Sequence, residues 1–459
     1  IPTIIKFFDI NCNRFVAVLG RCFPEGFPDP GNLIRGVPDS EYKMFMTDIS
    51  FSYSATELKW LNFKEQCIIM EILKFYKQIG KEYSIMDTMS LTAKYEDEMI
   101  TIRRHIHRHP ELSNKEYKTT EFIREKLTEY GVEIAEIGMK TGVVAVIRGG
   151  KPGKTVVIRE DIDALPMKEL TGLPFASEND GACHSCGHDI HTTVLLYCAK
   201  VLSEIRGELA GTVMLIFQPA EEHMGAGELV DCNFTQVAKP DAFIGLHVSP
   251  EIDAGSIGLK KGPANASNDF FNIKIKGKGG HGAHPENCID PVVIAGYVIT
   301  QLQTVISREN YPVYPGVLTI GSIHGGTVNN IIPDYVEMHG TLRSLDPDCR
   351  KKMMAAIDRV VKGCAESMRG TAEVEWEIGV PPLVNDDSII EAVAEAAAKT
   401  IGADHVSYVK NPSMGSEDFS VLFPKFGPGA QFRLGSGNNE DPNSRHGLHN
   451  SKNVFDEKC

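Results

Sequence analysis

The chain has 459 residues, 42% hydrophobic and 24% charged, which is length enough for two domains and the balance of a globular protein. Its formal net charge of −14 excludes a surface built to follow a nucleic-acid backbone, and no apolar run reaches the length of a membrane span. Eleven cysteines, an odd number scattered along the chain, make a poor disulfide framework and point to a reducing compartment, the cytoplasm.

Residues 1–86 carry no motif, and the stretch 23–40 is rich in Pro and Gly. They read as an atypical extension, foreign to the fold or poorly ordered, with a small regulatory appendage as the alternative. Helical spacing then begins. Tyr95–His109 stops at Pro110, and Tyr117–Tyr130 stops at Gly131, where a positive φ is wanted. The apolar, β-branched runs Val143–Ile147, Thr155–Ile158, Thr212–Phe217 and Ala242–His247 follow, with a helix at Thr192–Ile205 among them. Strands apolar throughout and alternating with helices predict an α/β fold on a largely parallel sheet. Ligand sites of such sheets lie beyond the strands' C-terminal ends, and polar clusters stand just after Ile158, Phe217 and Leu246.

The middle reads differently. Asp269–Lys276, Val317–Ile323, Tyr335–Leu342 and Glu373–Ile378 are predicted strands, with helices at Asp290–Arg308 and Pro347–Met368. The order β-α-β-β-α-β is that of a ferredoxin-like α+β unit. Alternation then resumes with a helix at Ser388–Ile401, strands at His405–Val409 and Ala430–Leu434, and a polar loop at 435–450. The division expected is a catalytic domain of residues 87–263 and 380–459, interrupted by an inserted domain of residues 264–379.

Candidate chemistry starts in Gly181–His191, reading GACHSCGHDIH. Cys186 and His188 can present a thiolate and an imidazole to one transition-metal ion. A redox pair of Cys183 with Cys186 is the competing reading, but thiol exchange has no use for the histidines that follow. Glu221 and Glu222 sit directly after a buried strand, where one carboxylate can hold a metal while its neighbour moves protons. His247 ends another apolar strand, and His446 and His449 lie in the last polar loop. Taken singly, these are equally an acidic turn, a core histidine and loop histidines. The glycines of 277–282 lack the spacing of a nucleotide-binding loop.

In sequence order the landmarks are RRHIHRHPELS from Arg103, REDIDALP from Arg159, CHSCGHD from Cys183, QPAEE from Gln218 and GLHV from Gly245. GKGGHGAHP from Gly277, NNIIPDYVEMHGTLR from Asn329, GSEDF from Gly415 and GLHN from Gly447 follow. The set, running from about Arg103 to about Asp456, resembles the M20 metallopeptidase superfamily, in its branch of amidohydrolases that act on N-acyl amino acids. The resemblance implies two divalent metal ions, zinc or manganese, held by Cys186, His188, Glu222, His247 and His449. It implies Glu221 as general base and Asp163 as the carboxylate orienting a ligand, while Asp161 stands where other branches carry a metal-binding histidine. It also implies that His281 covers the scissile carbonyl from the inserted domain, and that Asn330 and Arg343 line the substrate cleft. The substrate class implied is a small N-acyl amino acid, with a homodimer through the inserted domain among the assemblies such relatives use.

The sequence departs from the family pattern at Glu160, usually a small residue, at Cys183, usually Met, and at Asn450, usually Ser. It also stops at Cys459, where relatives continue into a further helix, so apolar surface behind the His449 loop is expected to lack a cover. An aminopeptidase or dipeptidase of the same superfamily, and a silent binder of amino-acid derivatives, are the alternative functions.

Overall fold

The computed structural model describes residues 88–459, so the reading of residues 1–86 lies outside the described residues. Two helices open it, α1 (Thr88–Arg108) and α2 (Tyr117–Glu129). Ile102 and Ile106 of α1 and Ile123 and Leu127 of α2, each pair four residues apart, turn into one core. Gly131, at φ +66°, ends α2 as its position predicts.

Strands β1 (Glu133–Ala135), β2 (Val143–Arg148) and β3 (Lys151–Asp161) precede α3 (His188–Glu204). Then come β4 (Ala210–Gln218), α4 (Ala226–Asp231), β5 (Ala242–Asp253), β6 (Ile257–Leu259) and β7 (Gly262–Asn265). The middle of the chain forms β8 (Asp269–Lys276), β9 (Gly280–His281), α5 (Pro291–Thr304), β10 (Gly316–Gly325) and β11 (Ile331–Ile332). It continues with β12 (Tyr335–Ser344), α6 (Pro347–Ser367) and β13 (Thr371–Glu377). The return runs through β14 (Leu383–Asn385), α7 (Asp387–Ile401), β15 (Val406–Tyr408), α8 (Phe423–Phe426) and β16 (Gly429–Gly437).

Eight strands make the large sheet, in the order β1-β2-β4-β3-β5-β16-β6-β15. Its centre, β4-β3-β5-β16, is parallel throughout. The largely parallel sheet expected is present, and beside its parallel centre β2 runs antiparallel to β4 from Val143↔Phe217 to Arg148↔Thr212. The run is apolar because both sheet faces are covered, not because of strand direction. Val143, Ala145 and Ile147 enter the core shared with α1, α2 and α3, while Val144 enters the opposite core with Phe234 and Phe419.

The second sheet has the order β10-β12-β8-β13, every pairing antiparallel. With α5 and α6 it reproduces the ferredoxin-like order and buries its own core, including Ile273, Ile294, Leu302, Met338 and Ile357. Asp290 and Asp346 cap the two helices by accepting from backbone N–H groups of the first turn.

Candidate metal centre

The parallel strands end together, and their ends carry the polar residues. Beyond Ile158 and Ile244 the ladder between β3 and β5 stops, whereas β3 stays paired with β4 through Asp161↔Gln218. The gap so opened is filled by side chains from the start of α3. That helix begins at His188, four residues before the spacing predicts, and Gly187 turns the chain into it at φ +84°. A Cβ on Gly187 would lie 2.5 Å from Val248 Cγ2, so only glycine fits between Cys186 and His188.

Ligand atoms of Cys186, His188 and His247 lie within 4.8 Å of one another, as do those of Cys186, Glu222 and His449, and those of His188, Glu221 and Glu222. All five residues read as ligands, and the residue read as base, therefore meet in one linked cluster. Cys186 Sγ is 3.5 Å from His247 Nε2. His449 Nε2 is 3.2 Å from Glu222 Oε1 without the alignment of a hydrogen bond. His449 is held at φ +63°, and Ala220 and Met224, flanking Glu221–His223, are at φ +56° and +60°. Non-glycine residues in this region cost about 1–3 kcal/mol each and gather where function over-determines the backbone.

The imidazoles are oriented by their second nitrogens. His188 Nδ1 donates to the Asp163 carbonyl at 3.0 Å and to its carboxylate at 3.1 Å, which leaves Nε2 buried with no hydrogen-bond partner. His247 Nδ1 donates to the Val248 carbonyl at 2.8 Å, so its Nε2 lone pair faces Cys186. Asp163 also accepts from Ser113 Oγ at 2.6 Å and from the Glu222 backbone N–H at 3.2 Å, tying the two ends of the site together. An orphaned imidazole nitrogen beside a thiol and a carboxylate is the donor set of a transition-metal site, and the residues fit such an ion.

The electrostatics agree with that fit. Burial drives His247 well below its ordinary range, helped by His191 and Arg433, so it is the neutral imidazole a metal requires. Burial pushes the Cys186 thiol up, while His188 pulls the other way. Burial also raises the Glu221 carboxyl well above its ordinary range, with Glu417 and Asp418 adding to it. Cys183 is pushed up to about 12 by burial and Glu169, the opposite of what a redox thiol needs.

Arg159 and Glu160 enter without having been singled out from the sequence as parts of the site, and they join Asp161 and His191 beside the ligands. Arg159, fully buried, pairs with Asp161 at 3.0 Å, Glu417 at 3.1 Å and Asp418 at 2.5 Å. Asp161 in turn accepts from His191 Nδ1 at 2.6 Å, and His191 Nε2 accepts the Val248 N–H at 2.9 Å. Both nitrogens of His191 are thus occupied, which removes it as a ligand although it lies near Asp161 and His188. Glu160 accepts the Leu246 N–H at 2.9 Å. Its departure from the family pattern is the signal that could have marked it.

His281, Asn330 and Arg343 belong to the other sheet's part of the chain, and no hydrogen bond or ion pair among the described residues joins them to this cluster. His281 is exposed on β9 and its Nδ1 accepts from the Ala283 N–H at 3.1 Å. Asn330 is exposed and accepts the Gly282 N–H at 2.8 Å through its carbonyl. Arg343 is partly buried on β12, with Nη1 lacking a partner. His446 lies outside the cluster.

The model of Peptidase family M20/M25/M40 matches residues 157–457. The chain is 42% identical over 346 residues to an N-acetyl-L-cysteine deacetylase of Bacillus subtilis (strain 168), covering 75% of this chain and 82% of that protein. It is 40% identical over 299 residues to an N-acyl-L-amino acid amidohydrolase of Geobacillus stearothermophilus, covering 65% and 80%. In structure it is similar to a dinuclear metal-binding peptidase of the M20 family from Bacillus subtilis, with TM-score 0.70, 37% identity, and coverage of 80% of this chain and 94% of that one.

Proposed function

The chain belongs to peptidase family M20/M25/M40, and from that premise we propose that it is a metal-dependent hydrolase cleaving the amide bond of N-acyl amino acids. The convergence of Cys186, His188, His247, Glu222 and His449 beside Glu221 carries this reading. The deacetylase and amidohydrolase relatives support it. In the proposal those five residues hold two divalent ions. A set containing a thiolate favours zinc or another late transition metal, with manganese as the alternative. Bound ions of this kind polarise an amide carbonyl and lower the pKa of water from about 15.7 to about 7.

The protein's own residues supply the rest. Glu221 takes the proton of the attacking water and returns it to the leaving amine. Its raised proton affinity, caused by burial and by Glu417 and Asp418, suits a base. Asp163 keeps the His188 ring oriented through Nδ1. When the segment 264–379 closes over the cleft, His281 stabilises the oxyanion, Asn330 contacts the substrate, and Arg343 forms a two-pronged pair with its carboxylate. The unpartnered Nη1 of Arg343 is a donor available for that pairing. We place the enzyme in the cytoplasm on its cysteine usage, and the same segment is its proposed dimer contact.

Replacing Glu221→Gln is expected to leave metal content unchanged and to lower kcat by about 10²-fold or more. A metal-loaded variant with full activity would remove Glu221 as the base. An aminopeptidase would instead need an acidic partner for a free amine. N-acetyl, benzoyl and indole-acetyl amino acids assayed beside unblocked dipeptides, with zinc, manganese or cobalt, separate the two.

A further inference from the structure

Arg433 lies mid-way along β16, in parallel register with His247 of β5. Residues paired in register point to the same face of a sheet, so its side chain leaves the sheet on the face that carries His247. The residue as a whole keeps some exposure, and the guanidinium's one hydrogen bond among the described residues runs from Nη2 to Asn265 Oδ1 at 2.9 Å. Asn265 is itself buried.

Buried arginines elsewhere are paired with carboxylates: Arg103 with Asp189 and Arg159 with three acids. The partly buried Arg350 likewise has Asp269. Arg433 has no ion pair among the described residues. The carboxylate that acts on it most strongly, Glu417, is already committed to Arg159, to Gln431 Nε2 at 2.6 Å and to the Phe419 N–H at 3.1 Å. A guanidinium stays charged at any physiological pH, and a desolvated charge without a counter-ion is costly. Beside a site that would hold divalent cations the cost is greater still. The remedy is an anion brought by the ligand, and a planar fork matches a carboxylate.

We propose that Arg433 is a specificity-determining residue that binds a second carboxylate of the substrate, making N-acyl derivatives of the dicarboxylic amino acids aspartate and glutamate the preferred class. The proposal rests on the amidohydrolase reading, in which Arg343 takes the first carboxylate. N-acetylglutamate and N-acetylglutamine have nearly the same shape and differ in that one charge, so their kcat/KM ratio reads the site directly. The intact enzyme favours N-acetylglutamate by about tenfold or more. The ratio falls toward one in Arg433→Gln, and Arg433→Lys, which keeps the charge without the fork, lies between them.

Calorimetry on the metal-depleted protein, where nothing turns over, supplies the second readout. N-acetylglutamate binds more tightly than N-acetylglutamine to the intact chain, and Arg433→Gln binds them alike. An intact enzyme with equal kcat/KM for the two, or equal affinity for them, overturns the proposal without recourse to any variant. If neither compound is hydrolysed but their binding differs through Arg433, the amidohydrolase reading falls and the carboxylate site stands.

Discussion

His247 is held from both sides by residues of β3, and neither hold is a ladder hydrogen bond. Glu160 accepts the N–H of the residue before it, and His191, itself oriented by Asp161, accepts the N–H of the residue after it. Burial, reinforced by Asp161, raises Glu160 well above its ordinary range, which favours its neutral acid form, and its second oxygen has no hydrogen-bond partner. Glutamine imitates that acid and leucine does not. Replacing Glu160→Leu or His191→Phe is expected to weaken metal binding by about 10- to 100-fold, whereas Glu160→Gln stays close to the parent. Competition against a chromophoric chelator measures it, and unchanged affinity in both disruptive variants would show that His247 needs neither support. From the sequence, residue types and their order identified the ligand candidates, because soft and borderline donors in this arrangement serve few other purposes. Arg159 and Glu160 stayed unassigned because the partners Gln218, Leu246 and Asp418 lie 59 to 259 positions away.

The turn and helix that present Cys186 and His188 depend on one glycine. Gly187→Ala combines a positive φ with a Cβ aimed at Val248, which is buried with Ile190 and Phe455. The expected loss is about 1–3 kcal/mol of unfolding free energy, read in urea, together with weakened metal binding. A variant as stable as the parent and equally metal-competent would mean that the turn relaxes freely. The first turn of α3 was illegible in the sequence for a related reason. His188, Asp189 and His191 precede the predicted helix start at Thr192, yet each is buried and held by tertiary contacts: His188 by Asp163, Asp189 by Arg103 and His107, His191 by Asp161. Helical periodicity reports burial of apolar residues and is blind to a buried polar face. Nor was the direction of β2 legible, since an apolar run records two covered faces and carries no mark of strand polarity.

Across the whole molecule the metal is expected to be a folding partner as well as a reagent. In the metal-free protein burial opposes a proton on His188, but Asp161, Cys186 and Asp163 together raise its proton affinity, and burial raises that of the Cys186 thiol. Both must lose their protons to become ligands, so metal affinity rises with pH and falls as pH drops. Calorimetry in buffers of different ionisation enthalpy should find about one to two protons released per site. Affinity independent of pH from about 6 to about 8 would exclude thiolate ligation. Chelation should abolish turnover and lower Tm, with divalent metal restoring both.

The sequence by itself determined the family, the α/β and ferredoxin-like elements, and the residues able to bind metal or move protons, because each follows from local periodicity or side-chain chemistry in a fixed order. Only the tertiary structure decided which strand ends open the gap, which nitrogen of each histidine is free, and why Glu160 and His191 are supports and not ligands. Those facts depend on hydrogen bonds between strands and helices far apart in the chain, and they left Arg433 beside the site with its charge unmatched by any carboxylate among the described residues.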